Sequence, residues 1–116
     1  MTELKIALDY DSTYDADPKL WNSFIASCKT NGHTIFLLTY RDERYDKTPL
    51  LIELEDYIPV YYTRGVAKRW WAEQFGPGKI DIWIDDRPES ILDNSKFSPE
   101  ALAEWRVGDR EKHYPS

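Results

Sequence analysis

Leu4-Lys5-Ile6-Ala7-Leu8-Asp9-Tyr10-Asp11-Ser12-Thr13 decides how the rest of the chain is read. A short apolar run, residues 4–8, stops at an aspartate and turns polar at once, as a buried strand does when it opens into an acidic turn. Asp17 then fits a helix N-cap and Pro18 the first helical position. Leu20, Trp21, Phe24, Ile25 and Cys28 follow as one apolar stripe at a period of about 3.6. Asn31-Gly32 stops that helix,. Residues 34–38 are apolar throughout, which predicts a second strand covered on both faces.

The same alternation continues. Thr48-Pro49 starts a helix to about residue 57, with Leu50, Leu51, Leu54 and Ile58 turned inward. Residues 59–63 read as a third strand, with a proline at its start. Residues 65–75 read as a helix carrying Val66, Trp70, Trp71 and Phe75, broken by Gly76-Pro77-Gly78. Residues 79–84 place Ile80, Ile82 and Ile84 on one face of a fourth strand, and 98–105 read as a last short helix. The stretches 41–48 and 87–98 read as irregular. The order β-α-β-α-β-α-β-α predicts an α/β fold, a doubly wound and mainly parallel sheet with helices on both faces. One domain is expected over 1–116, with its core at 4–92 and a C-terminal helix and tail at 98–116.

Polar residues collect where such a sheet binds ligands, outside the carboxyl ends of its strands. Strand one runs into Asp9 and Asp11, strand two into Thr39-Tyr40-Arg41, and strand four into Asp85-Asp86-Arg87. Lys68 lies near the start of the helix before strand four. Aspartates grouped in one pocket repel each other unless a cation sits among them, and an all-oxygen donor set favours Mg²⁺. A carboxylate beside that ion can act as a nucleophile and form an aspartyl-phosphate. A second carboxylate two residues on can protonate the leaving oxygen and then activate water. The Thr39 hydroxyl and the Lys68 charge suit a transferred phosphoryl group. Tyr10 and Tyr40 flank this region, with packing their first use and stacking on a base the alternative.

This set resembles the haloacid dehalogenase (HAD) superfamily of aspartate-nucleophile phosphatases. The likeness lies in Asp-x-Asp-x-Thr (Asp9, Asp11, Thr13), then Thr39, then Lys68, then the pair Asp85-Asp86, in the superfamily's order. The resemblance implies a HAD-like, Rossmannoid fold with Asp9 as nucleophile and Asp11 as general acid/base. It implies Mg²⁺ held by the Asp9 carboxylate, the Asp11 main-chain carbonyl and one of Asp85 or Asp86, with Asp86 favoured as the direct ligand. Ser12 stands where the superfamily usually has glycine. Thr39-Tyr40-Arg41 and Ile84-Asp85-Asp86-Arg87 are further similar to motifs of the phosphatase domains of phage-type polynucleotide kinases. That similarity makes Arg41 a candidate phosphate or nucleotide contact, and a nucleotide or nucleic-acid 3′-phosphate the expected substrate.

Asp11 and Thr39 are 28 positions apart, and Thr39 and Lys68 are 29 apart. One helix, one strand and their loops fill each interval, so no cap domain is expected. An open site suits the phosphorylated end of a chain, a phosphorylated small molecule, or a partner or second copy acting as lid. The alternative is a catalytically weak HAD-like binding or phosphoacceptor module. Response-regulator receivers share the acids, hydroxyl and lysine but place them in a different chain order.

Composition sets the outer limits. At 116 residues, 41% of them hydrophobic, the chain holds one core,. Its 15 basic and 21 acidic residues give a net charge of −6, which disfavours a protein that coats nucleic acid through bulk charge. A single cysteine, Cys28, excludes an internal disulfide framework,. No run approaches the ~20 apolar residues of a membrane span, and no apolar signal region precedes the first strand. A cytoplasmic protein without membrane contact is expected.

Overall fold

The computed structural model describes residues 2–95; the segment read as a final helix, 98–105, lies outside them. Four strands, β1 (Lys5–Leu8), β2 (Thr34–Thr39), β3 (Val60–Tyr62) and β4 (Ile82–Ile84), form one all-parallel sheet in the order β3-β2-β1-β4. Helices α1 (Pro18–Thr30), α2 (Pro49–Leu54) and α3 (Lys68–Phe75) make the crossovers, and α4 (Glu89–Leu92) follows β4. This is a small α/β domain compatible with a Rossmann-like fold.

Side chains alternate across the sheet and are covered on both sides. Ile6, Leu8, Ile35 and Leu37 point to one face, under Ile25 and Cys28 of α1 and Leu51 and Leu54 of α2. Ala7, Phe36 and Leu38 point to the other, where Val66, Trp71, Ala72 and Ile80 pack. The chain moves one way across the sheet from β1 to β3 and the opposite way to reach β4. A crossover of the same hand that reverses direction lands on the other face, which is where α3 lies. The reversal also opens a crevice between the carboxyl ends of β1 and β4. Leu8 pairs with Ile84, and the Asp9 amide donates to the Ile84 carbonyl at 2.9 Å. Asp9 and Asp85 therefore leave neighbouring strands at one level.

Local signals act largely as read. The Asp17 side chain accepts from the Leu20 amide at 3.1 Å, and Thr48 does the same for Leu51. Cys28 is buried. Pro59, without an amide proton, still offers its carbonyl to the Leu37 amide at 2.9 Å, so it sits at the strand's start without loss.

Five expectations are corrected. Leu20 lies at the margin of the α1 stripe and is 54% exposed. Helix α2 closes at Leu54 rather than near residue 57, ending in turns that bring Ile58 back into the core and leave Tyr57 outside. Helix α3 begins at Lys68 rather than 65, because Arg64 and Gly65 both take positive φ (56° and 82°) and Ala67, at ψ 123°, is not helical. Strand β4 is only three residues long; Ile80 precedes it and packs on the α3 face, while Ile84 packs on the α1 face. Helix α4 lies in a stretch read as irregular.

Candidate active site

The turn after β1 builds the floor of the crevice. The amides of Tyr14 and Asp15 donate to the carbonyls of Asp9 and Tyr10 at 3.2 and 3.1 Å, a wide five-residue turn over Tyr10–Tyr14. Ser12 closes it at φ 61°, ψ 8°, the left-handed region that glycine enters freely and other residues enter at a cost. The Ser12 amide donates to Asp15 Oδ1 at 2.7 Å, which helps to hold that conformation. Position 12 is thus one whose backbone favours glycine, although a serine occupies it.

Asp9 is 7% exposed and both its oxygens have donors. Oδ1 accepts from Lys68 Nζ at 2.7 Å and Oδ2 from Thr13 Oγ1 at 3.2 Å. Lys68, buried at the start of α3, also donates to Asp85 Oδ2 at 2.6 Å. Asp85 is further held by the Ser90 hydroxyl at 3.0 Å and the Arg87 amide at 3.0 Å. Asp86 is exposed, and its Oδ1 lies 3.3 Å from Thr13 Oγ1, sharing that hydroxyl's one proton with Asp9. Oxygens of Asp9, Asp85 and Asp86 all lie within 4.8 Å of one another.

Burial pushes the Asp9 carboxyl up from 3.8 to about 7; the Lys68 ammonium opposes the shift and the neighbouring Asp85 charge adds to it. A carboxylate that is short of water and beside other carboxylates attracts either a proton or a cation. The donor set is all oxygen, which fits a hard divalent ion such as Mg²⁺.

Asp11 stands at the rim, 48% exposed on its side chain, in a bidentate pair with Arg41. Arg41 Nε lies 3.2 and 3.1 Å from the two Asp11 oxygens, and Nη2 lies 2.8 Å from Oδ1. Those bonds hold the guanidinium charge still more firmly. The Thr39 side chain is buried, and its Oγ1 accepts from the Arg41 amide at 3.2 Å. Asp9, Asp11, Lys68, Asp85 and Asp86 share one cleft of about 170 Å³ with Tyr40, Arg87 and Ser90; Thr39 and Arg41 do not line it.

The two tyrosines part company. Tyr10 is buried, hydrogen-bonds Thr48 Oγ1 through its hydroxyl at 2.9 Å, and lies 5.4 Å under the Arg41 guanidinium, so it packs rather than stacks on a ligand. Tyr40 lines the cleft, with Lys68 Nζ 5.5 Å above its ring and its hydroxyl donating to the Asp93 carbonyl. Burial raises the Tyr40 hydroxyl to about 12. Two larger hollows lie elsewhere, of 790 Å³ beside α3 and α4 and 430 Å³ between α1 and α2. Among the described residues, neither holds a group of three acids like that of the crevice.

Sequence reading overlooked Ser90 and Asp46. Ser90 is five residues past Asp85, on the turn that Pro88 starts, and that proline was the available signal. Asp46 holds Arg41 from an exposed loop, and no spacing marks it. Compared with known proteins, the chain matches no family model, no curated protein and no solved structure.

Proposed function

We propose that this protein is a HAD-type, Mg²⁺-dependent phosphomonoester hydrolase that works through an aspartyl-phosphate on Asp9. The observation that carries the reading is the Lys68 ammonium bridging Asp9 and Asp85 at 2.7 and 2.6 Å, with an Asp86 oxygen within 4.8 Å. A buried carboxylate beside a fixed cation and two further acids is an arrangement for receiving a charged phosphoryl group. Asp9 and Asp86 are the side chains that would hold the ion, because Asp85 is already engaged by Lys68, Ser90 and the Arg87 amide. Bound there, Mg²⁺ supplies positive charge to the phosphoryl oxygens and relieves repulsion between Asp9 and phosphate.

The chain's own steps follow. An Asp9 oxygen exchanges its present donor for phosphorus and attacks in line. The bond from phosphorus to the leaving oxygen breaks, and Asp11, which enters the step protonated on Oδ2 while Oδ1 stays on Arg41 Nη2, gives that oxygen its proton,. Water then attacks the aspartyl-phosphate, Asp11 takes its proton, and the bond from phosphorus to Asp9 breaks to release phosphate. Lys68 fixes Asp9 and faces the equatorial oxygens.

For substrate we favour a nucleotide or nucleic-acid 3′-phosphate. No cap covers the cleft among the described residues, and half-buried Tyr40 offers a ring at its edge. A net charge of −6 favours short ends over long duplexes,. A second copy or a partner could serve as lid. The test is phosphate release from 3′- and 5′-nucleotides, a 3′-phosphorylated oligonucleotide and glucose 6-phosphate, with and without Mg²⁺. Wild type is expected to need the metal and to prefer 3′-phosphates, and Asp9→Asn to lose turnover while remaining folded. Sugar phosphates leading the panel would remove the nucleic-acid reading alone. Label that accumulates on Asp9 without release would favour the phosphoacceptor alternative. Full turnover by Asp9→Asn would overturn covalent catalysis.

A further inference from the structure

We infer that Arg41 is a positioning residue for Asp11 rather than a contact for substrate. The inference rests on the reading of Asp11 as acid/base. Asp11 projects from a turn and is 48% exposed, so packing alone does not fix its carboxylate. The Arg41 fork fixes it instead, closing on both oxygens at 2.8 to 3.2 Å. A planar guanidinium sets both the distance and the plane of a carboxylate, which a point charge does not.

Arg41 is itself built in. Its Nη1 donates to the Asp46 carbonyl at 3.0 Å and to Asp46 Oδ1 at 2.9 Å. Its guanidinium rests over the Tyr10 ring, and Tyr10 is pinned by Thr48 at the N-terminus of α2. The support therefore runs from α2 through Tyr10 and Arg41 to Asp11. A residue meant to capture phosphate keeps its fork towards the cleft, whereas this one turns Nε, Nη1 and Nη2 towards two carboxylates. A phosphate could recruit the fork only by breaking those pairs.

A double-mutant cycle separates the two roles, since residues acting through one another are not additive. Wild type, Arg41→Ala, Asp11→Asn and the double variant are measured on an alkyl phosphate and on para-nitrophenyl phosphate. Arg41→Ala is expected to lower kcat on the alkyl phosphate by about 10²-fold, the scale of a misplaced catalytic group. The loss should be smaller on the aryl ester, whose leaving group needs no proton, and KM should change little on either. In the Asp11→Asn background the same substitution should do nothing further. Arg41→Lys should restore only part of kcat.

Asp46→Ala is the second probe, because it loosens Arg41 without removing the fork. Its smaller loss should likewise vanish in Asp11→Asn, even if Arg41→Ala proves too unstable to assay. A rise in KM that is equal and additive in both backgrounds would overturn the inference and make Arg41 a substrate contact, leaving the phosphatase reading intact. Absence of Asp9-dependent turnover in wild type on every substrate would remove that reading, and this one with it.

Discussion

Asp9 holds its proton more tightly in the folded protein than in the unfolded chain, where the ordinary value of 3.8 applies. Burial is the main cause, and the folded value is about 7. Between those values the folded state binds more protons than the unfolded state, so stability falls as pH rises. The contribution is fully present below about 4 and is lost as pH passes through about 7. In the absence of divalent metal, thermal melts across that window should show a declining midpoint, and Asp9→Asn should flatten the decline. An unchanged slope in Asp9→Asn would assign the proton to another group. Much of this residue's environment was legible in the sequence. Asp9, Lys68, Asp85 and Asp86 meet because parallel strands carry their ends to one edge. The Asp11–Arg41 pair was not legible, since it depends on how two loops fold over Tyr10 and no periodicity encodes that. Thr39 was legible as a strand-end hydroxyl, but not its bond to the Arg41 amide.

Helix α3 matters as an element because it carries Lys68 into the crevice. Its start is fixed by the Thr63–Ala67 loop, where Thr63 Oγ1 donates to the Val66 carbonyl and the Ala67 amide donates to Asn94 Oδ1. Its body is anchored by Trp71, fully buried against the sheet. Its end is Gly76, where an added Cβ would lie 2.7 Å from a Trp71 ring carbon and 3.2 Å from the Ala72 Cα. Neither neighbour can yield easily, since one is a buried ring and the other is backbone. Gly76→Ala is therefore expected to destabilise the protein by about 1–3 kcal/mol, the range for overpacking, and to lower activity by shifting Lys68. A melting point equal to wild type would show that the α3 terminus has slack. The glycine was read as a helix stop, which it is; the close approach of Trp71 could not be read. Long apolar patterns made α1, β1 and β2 legible. The true start of α3 and the four-residue α4 depend on single backbone angles and on Asp85 capturing the Arg87 amide.

At the scale of the whole molecule, a chain of net charge −6 places four of its acids, Asp9, Asp11, Asp85 and Asp86, along one crevice. Lys68 offsets part of that charge by bridging Asp9 and Asp85. An ion that binds only the folded state stabilises it by mass action, by about 2.7 kcal/mol at a hundred times its dissociation constant. On the proposed reading Mg²⁺ would displace the Asp9 proton on binding, so its effect should be larger at pH 8 than at pH 6. Screening of surface repulsion by any salt would mimic a small rise, so the comparison is with NaCl at equal ionic strength. We expect Mg²⁺ to raise the melting point beyond that control, more so at pH 8, and Asp86→Asn to lose most of the excess. Ca²⁺ should raise it too, because it accepts looser oxygen sets. It should nevertheless fail to support turnover, since its wider sphere can engage both Asp9 oxygens and leave none for attack. A Mg²⁺ shift of equal size in Asp86→Asn would place the ion elsewhere on the acidic surface. A shift no larger than the NaCl control would leave Lys68 as the cation this crevice was built around.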